Sequence, residues 1–422
     1  MHDRMAKRTR GTACVSVALA MAVARVQAQG PVADSVSLEQ RVTIASRLYA
    51  AIPLYFAHWQ GVPVGFNLDS AYRQYVRRVI SSADRREFDF ASMEFVAQLR
   101  NGHTSFRDSW LRDRFGQPFG FEVMPIGRDW VVIASRREGL TVGDEIRAID
   151  DEEVERFFGR QRRFLAASDE RWARFSLFRS PHLFNPRFTV TVRDGRSIVI
   201  DRTGDPLPSQ RPYYETRLLD GGQVGYLKIR SFLPERQLED SALAFVRAHR
   251  RAAGLIIDVR GNEGGATPMR LIGALMDRPY RWFIEATPGQ PALDRDRRPQ
   301  AMLRWDSPTT SPDSAAFAGK VVILTDGACW SACDGFVVSF KDNHRATIVG
   351  DTTGGSSGQP VFLSLGNGMS FQVSMKREFL PDGSPFEGVG IAPDIVLRPT
   401  PEEIRRGEDR VLAKALSIIK AP

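Results

Sequence analysis

Apolar residues recur at helical spacing in the first hundred positions: Val42, Ile44 and Leu48, then Leu68, Tyr72, Tyr75, Val76 and Ile80, then Phe88, Phe90, Met93, Phe95, Val96 and Leu99. That period predicts three helices, with a stop at Asn101-Gly102. The texture changes near Phe115. Short β-type runs at 119–123 and 130–134 lead through Gly139, Gly143, Asp144, Glu145 and Ile146 to mixed patterns ending near Asp201, which predicts a small β-rich module inserted after the helices. Beyond Tyr213 the period switches back and forth. Strands are expected at 225–229, 254–259, 320–325 and 346–349, and helices at 238–250, 268–276 and 330–341. Such alternation predicts an α/β core built on a largely parallel sheet. The Pro-, Asp-, Arg- and Ser-rich stretch 288–315 reads as a surface loop, and a final helix starts near Pro401 with Thr400 as its N-cap.

The N-terminus departs from this pattern. Arg4, Lys7, Arg8 and Arg10 precede an apolar stretch at 11–24, shorter than the roughly 20 residues of a bilayer-spanning helix. With Val26-Gln27-Ala28 as a cleavage site, residues 1–28 read as a secretory signal, so the mature protein is expected to be exported, periplasmic or secreted, with no stable membrane span. Cys14 lacks the preceding apolar run of a lipoprotein signal. Loss of this segment lowers the formal charge of the 422-residue chain from +8 to +4. The remaining charges form no block of like sign, which argues against a nucleic-acid partner. Only Cys329 and Cys333 remain in the mature chain. They make neither a disulfide scaffold nor a zinc module; on one helix they would point the same way, and a bridge there would strain the geometry. The expected organisation is a signal at 1–28, a helical region at 37–112, the β-rich module at 113–203 and the α/β core at 209–422.

Two strand-to-helix turns carry candidate chemistry. Asp258-Val259-Arg260-Gly261-Asn262-Glu263-Gly264-Gly265 follows a buried strand and precedes a helix, where free N–H groups bind anions or a developing oxyanion. Taken alone, it is also an ordinary glycine turn. Asp326-Gly327-Ala328-Cys329-Trp330-Ser331-Ala332-Cys333-Asp334 occupies the same kind of place. A serine there is most often a cap, but as a nucleophile it would have the Ala332 N–H and the helix dipole beside it. Among the histidines, His103 has the most site-like context, after a helix stop and before a strand. His58, His182 and His344 have nothing catalytic next to them in sequence, and His249 sits at a helix end. Gly354-Gly355-Ser356-Ser357-Gly358 fits the G-x-S-x-G nucleophile elbow. However, a strand-like run rather than a helix follows it, and no His follows His344, so it reads as a flexible loop near a site.

Taken together, these motifs resemble the C-terminal processing (tail-specific) serine peptidases and the related tricorn core peptidases. The carriers are 256–265, the serine helix Trp330-Ser331-Ala332-Cys333-Asp334 with 342–350 after it, and the closing run Phe386-Glu387-Gly388-Val389-Gly390-Ile391-Ala392-Pro393-Asp394-Ile395. The inserted module is similar to a PDZ domain. The resemblance implies a crotonase/ClpP-like α/β core, a peptide or protein substrate, and no metal or organic cofactor. Family members with a Ser/Lys dyad carry Lys where this chain has Gly355-Ser356-Ser357-Gly358, whereas the tricorn-like design takes a His from before the core and a Glu from the closing run. This chain supplies both. The resemblance therefore implies Ser331 as nucleophile, His103 as base and Glu387 as its orienting partner, with Gly264 or Gly265 and Ala332 binding the oxyanion. Gly102 replaces the serine that precedes the His in that branch, leaving Ser356, Ser357 and Thr104 as candidate substitutes; Ser356→Ala is expected to be much milder than Ser331→Ala. The alternatives are a non-catalytic peptide or apolar-ligand binding protein on the same scaffold and a small-molecule esterase or amidase.

Overall fold

The computed structural model describes residues 32–203, 212–289, 302–306 and 309–421, so the expected signal segment lies outside the described residues. Three helices, Leu38–Tyr55, Leu68–Ser81 and Arg85–Ala97, occupy the N-terminal region as the periodicity predicts. Each starts at a polar cap, Ser37, Asn67 and Asp84, whose side chain accepts a hydrogen bond from a first-turn N–H. The stop differs in detail from expectation. The left-handed residue is Arg100, with φ of 49°, and Gly102 is kept small for another reason, given below.

The next unit is an antiparallel sheet in the order Phe121–Ile126, Asp129–Ser135, Glu145–Ile149, Arg187–Val192, Ser197–Asp201. Helices Val154–Gln161 and Glu170–Leu177 accompany it, and Trp130, Phe158, Phe178, Phe184 and Phe188 fill its own apolar core. The α/β core carries a six-stranded sheet in the order Ile395–Val396, Thr347–Gly350, Lys320–Thr325, Gly254–Asp258, Val224–Ile229, Tyr214–Leu219. It is parallel throughout except for the edge strand Tyr214–Leu219. Its central strands Gly254–Asp258 and Lys320–Thr325 are almost wholly buried, as near-continuous apolar runs in a parallel sheet require.

Two further sheets tie the regions together. Strand Ser105–Asp108 pairs antiparallel with Met369–Ser374, which also pairs with Pro360–Gly366. This places His103, two residues before that strand, beside the core although the two are far apart in sequence. Ile284–Pro288 pairs with Met302–Trp305 and Arg377–Phe379. Met302–Trp305 is thus a strand inside the stretch expected to be a loop, while 290–301 lies outside the described residues. The expected final helix is two helices, Pro401–Arg406 and Arg410–Lys420, divided at Gly407, whose φ of 69° ends the first.

Candidate active site

Strand Lys320–Thr325 ends in the turn carrying Ser331, and helix Ala332–Asp342 begins one residue later. Ser331 has φ of 61° and ψ of −119°, a conformation that costs a side-chain-bearing residue of order 1–3 kcal/mol. Its surroundings account for that geometry. The Ser331 N–H donates to the Asp334 carboxylate at 3.0 Å, and Asp334 also accepts from the N–H groups of Gly355 (3.2 Å) and Ser356 (3.3 Å). Asp334 therefore ties the serine turn to the glycine-rich loop. Burial pushes its carboxyl up to about 8, against the opposing pull of these hydrogen bonds and one with Thr353. The Ser331 hydroxyl stands at a capping box with Asp334 at the start of this helix. It lies 2.9 Å from His103 Nε2.

From His103 the contacts continue in one line. Nδ1 lies 3.0 Å from Ser356 Oγ, and Ser356 Oγ–H donates to Glu387 Oε1 at 3.1 Å. Glu387 also accepts from Asn101 Nδ2 (2.8 Å), Ser357 N (2.7 Å), Ser357 Oγ (3.1 Å) and Ser168 Oγ. A carboxylate only accepts, so Ser356 spends its proton on Glu387 and takes the Nδ1–H of His103. That leaves Nε2 as the bare nitrogen facing Ser331. Glu387 thus meets His103 through a buried serine hydroxyl, that of Ser356.

The glycine-rich loop is not flexible. Ser356 and Ser357 are buried. A Cβ on Gly358 would lie 2.6 Å from His103 Cγ, and one on Gly354 would lie 2.7 Å from Trp330 Cδ1. Gly102 is small for the same kind of reason, since a Cβ there would meet Trp330 Cζ2 at 2.9 Å and Trp172 Nε1 at 3.2 Å. His58, set aside in the sequence, is buried at the far side of Glu387, with Nδ1 3.9 Å from Oε2 and Nε2 bonded to the Lys376 carbonyl at 2.8 Å. Lys376, the nearest downstream Lys, is held by Glu285 (2.6 Å) and Glu378 (2.7 Å).

The glycine turn packs directly on the nucleophile. A Cβ on Gly264 would fall 2.7 Å from Trp330 O and 2.9 Å from Ser331 Cβ. The Gly264 N–H, however, donates to Asn262 Oδ1 at 2.8 Å, which removes it from the expected oxyanion donors. Gly265, at φ of 130°, and Ala332, the first residue of its helix, keep that role open. The turn is braced from below: buried Asp258 meets Arg260 (2.7 Å), Lys228 (3.1 Å) and Tyr226 Oη (2.7 Å), and Arg260 reaches Asp409 at 2.7 Å. Although burial opposes its charge, these cations hold the Asp258 carboxyl below its ordinary value. Cys329 and Cys333 form a disulfide around Trp330-Ser331-Ala332, with Cα atoms 5.1 Å apart. The expected geometric obstacle is absent because Cys329 precedes the helix. Among the described residues, no group of three or more His, Cys, Asp or Glu side chains is placed to hold a metal ion.

His103 is buried, and burial, followed by the neighbouring His58, Arg107 and Lys376, pushes its imidazole down to about 3. The acid limb expected from a free His, near pH 6 to 7, is therefore displaced downward.

A serine aligned with an imidazole and, through a hydroxyl, a carboxylate, at a strand-to-helix turn of a parallel sheet, is the layout of the serine hydrolases. Residues 223–397 match the model of peptidase family S41. It is similar to the carboxy-terminal-processing protease of Bartonella bacilliformis, 24% identical over 200 residues, covering 46% of this chain and 43% of the relative. It is also similar to carboxy-terminal processing protease CtpB of Bacillus subtilis, 26% identical over 193 residues, covering 46% of this chain and 38% of the relative. The matches thus span less than half the length of these curated relatives. In fold, the chain is similar to mature CPAF complexed with lactacystin, with a TM-score of 0.70 and 14% identity over 91% of this chain and 98% of that one. The photosystem II D1 C-terminal processing protease gives a TM-score of 0.55 and 17% identity over 87% and 94%.

Proposed function

We propose that this protein is a serine peptidase acting on peptides or proteins outside the cytoplasm. The observation that carries the reading is the 2.9 Å approach of Ser331 Oγ to His103 Nε2, across 228 residues of sequence. Ser331 attacks the scissile carbonyl carbon as its proton passes to Nε2, and the carbonyl oxygen takes the negative charge. The N–H groups of Gly265 and Ala332 receive that oxyanion. Collapse of the intermediate breaks the C–N bond, and His103 returns the proton to the leaving amine. Water, activated by the same imidazole, then hydrolyses the acyl-enzyme. Glu387 acts on His103 through Ser356, fixing the tautomer and stabilising the imidazolium.

The tricorn-like design is favoured over a Ser/Lys dyad because Lys376 is engaged by two carboxylates while His103 contacts Ser331. We read the 113–203 unit as PDZ-like, supported by its separate antiparallel sheet and apolar core, and the 209–422 unit as a crotonase/ClpP-like core, supported by its parallel sheet. Export is supported by the pattern of residues 1–28 and by the disulfide, since such bonds persist in oxidising compartments. Among the described residues, no helix is long and apolar enough to cross a membrane. Stoichiometric labelling by a phosphonofluoridate, lost in Ser331→Ala, together with hydrolysis of a peptide library tests this reading. An unlabelled Ser331 refutes it.

A further inference from the structure

The imidazole of His103 is clamped face-on. One side meets the Trp330 ring at a centroid distance of 3.9 Å and an interplanar angle of 7°. Gly358, which has no room for a Cβ, also packs against the ring. The opposite face of Trp330 lies on Trp172, at 4.4 Å and 2°, so three rings form one parallel stack. Trp172 belongs to helix Glu170–Leu177 of the inserted module, where its N–H is capped by Asp169 at 2.8 Å. The same segment reaches the site a second time, because Ser168 donates to Glu387 and accepts from the Gly102 N–H at 3.1 Å.

This stack answers a need of the chemistry. When His103 takes the Ser331 proton it becomes a buried cation, and Glu387 is separated from it by the Ser356 hydroxyl. The groups that act on it most strongly, His58, Arg107 and Lys376, supply no negative charge, and the nearby Asp334 carboxyl, bonded to the Ser331 and Ser356 N–H groups, is pushed up to about 8 by burial. An indole face carries the negative lobe of its quadrupole toward such a cation. We propose that Trp330 stabilises the imidazolium form of His103 and that Trp172 of the inserted module is the positioning residue that holds Trp330 in place. The proposal rests on the assignment of Ser331 and His103 made above. Gly102 and Gly354 are then the openings that admit the indole, which is why the chain has no serine before its histidine.

The test keeps ring shape and removes the quadrupole: a ring-fluorinated tryptophan is incorporated at position 330 of the full chain. The expected result is a fall in kcat of about tenfold with KM within about twofold. In the phosphonylated protein, the imidazolium followed by NMR should titrate about one unit lower. Trp172→Leu should act in the same direction, and Trp172→Phe, which keeps an aromatic face, should recover most of the loss. An unchanged kcat and an unchanged imidazolium titration with the fluorinated ring overturn the proposal, as does a Trp172→Leu effect confined to KM. If the unmodified protein forms no phosphonyl adduct, the nucleophile assignment falls and the proposal falls with it. An adduct whose imidazolium ignores both tryptophans removes the proposal alone.

Discussion

Ser356→Ala deletes the hydroxyl that joins His103 Nδ1, at 3.0 Å, to Glu387 Oε1, at 3.1 Å. Glu387 keeps its donors from Asn101, Ser168 and Ser357, so the fold should survive. What is lost is the acceptor that keeps the proton on Nδ1 and passes the carboxylate's influence to the ring. A hydrogen bond to a charged partner contributes about 1.5–3 kcal/mol. At about 1.4 kcal/mol per factor of ten, kcat should fall roughly 10- to 150-fold. KM should stay constant, since the interaction strengthens as charge develops on His103. Steady-state hydrolysis of a fluorogenic peptide measures both. If Glu387 works through Ser356, the double variant with Glu387→Gln should be no worse than the poorer single one. A kcat for Ser356→Ala within twofold of wild type, or full multiplicative effects in the double variant, would refute the line of contacts. The mild effect expected from sequence is thus replaced by a large one.

Ser331→Ala should abolish peptide hydrolysis while costing at most about 2 kcal/mol of stability, the loss of one helix cap; circular-dichroism melting and turnover read the two separately. Gly264→Ala forces a Cβ to 2.7 Å from Trp330 O at a φ of 94°, and should cost about 1–3 kcal/mol in urea unfolding together with a loss of kcat. His182, half-buried, is pushed down to about 4 by desolvation, then by Arg86 and Arg202. Between that value and the ordinary 6.5 the unfolded chain binds a proton that the folded chain does not, so stability falls as pH drops through this window. His182→Phe should flatten that fall, by about 3 kcal/mol across the full window, as urea titrations at stepped pH would reveal. N-terminal sequencing of exported protein should begin at Gln29; retention of residues 1–28 would contradict cleavage there.

What the sequence made legible was local. The helical periodicity of the first hundred residues coincides with helices Leu38–Tyr55, Leu68–Ser81 and Arg85–Ala97, and strand Lys320–Thr325 falls where its apolar run lies. Ser331 was visible because a nucleophile at a strand-to-helix turn has a local signature. His58, Asn101 and Ser168 had none: they meet at Glu387 only after Ser105–Asp108 pairs with Met369–Ser374 and the module folds back. The glycines of 354–358 were misread because glycine announces backbone freedom and small size alike, and here close packing against His103 and Trp330 decides. Gly407 did carry a usable signal, a glycine just after Arg405-Arg406, for the split of the C-terminal helix.

The pairing of Ser105–Asp108 with Met369–Ser374 brings together parts of the chain that are synthesised far apart in time. The base enters from the first quarter of the chain, the nucleophile from the last quarter, and the carboxylate from near its end. A contiguous fragment must run at least from residue 103 to residue 387 to contain the apparatus, and a chain emerging from its N-terminus has the base before it has the serine. The contact of Ser331 with His103 therefore requires closure of a very long loop, 228 residues in sequence separation. In an exported peptidase of the kind proposed, the nucleophile would meet its base only after both segments have crossed and packed together.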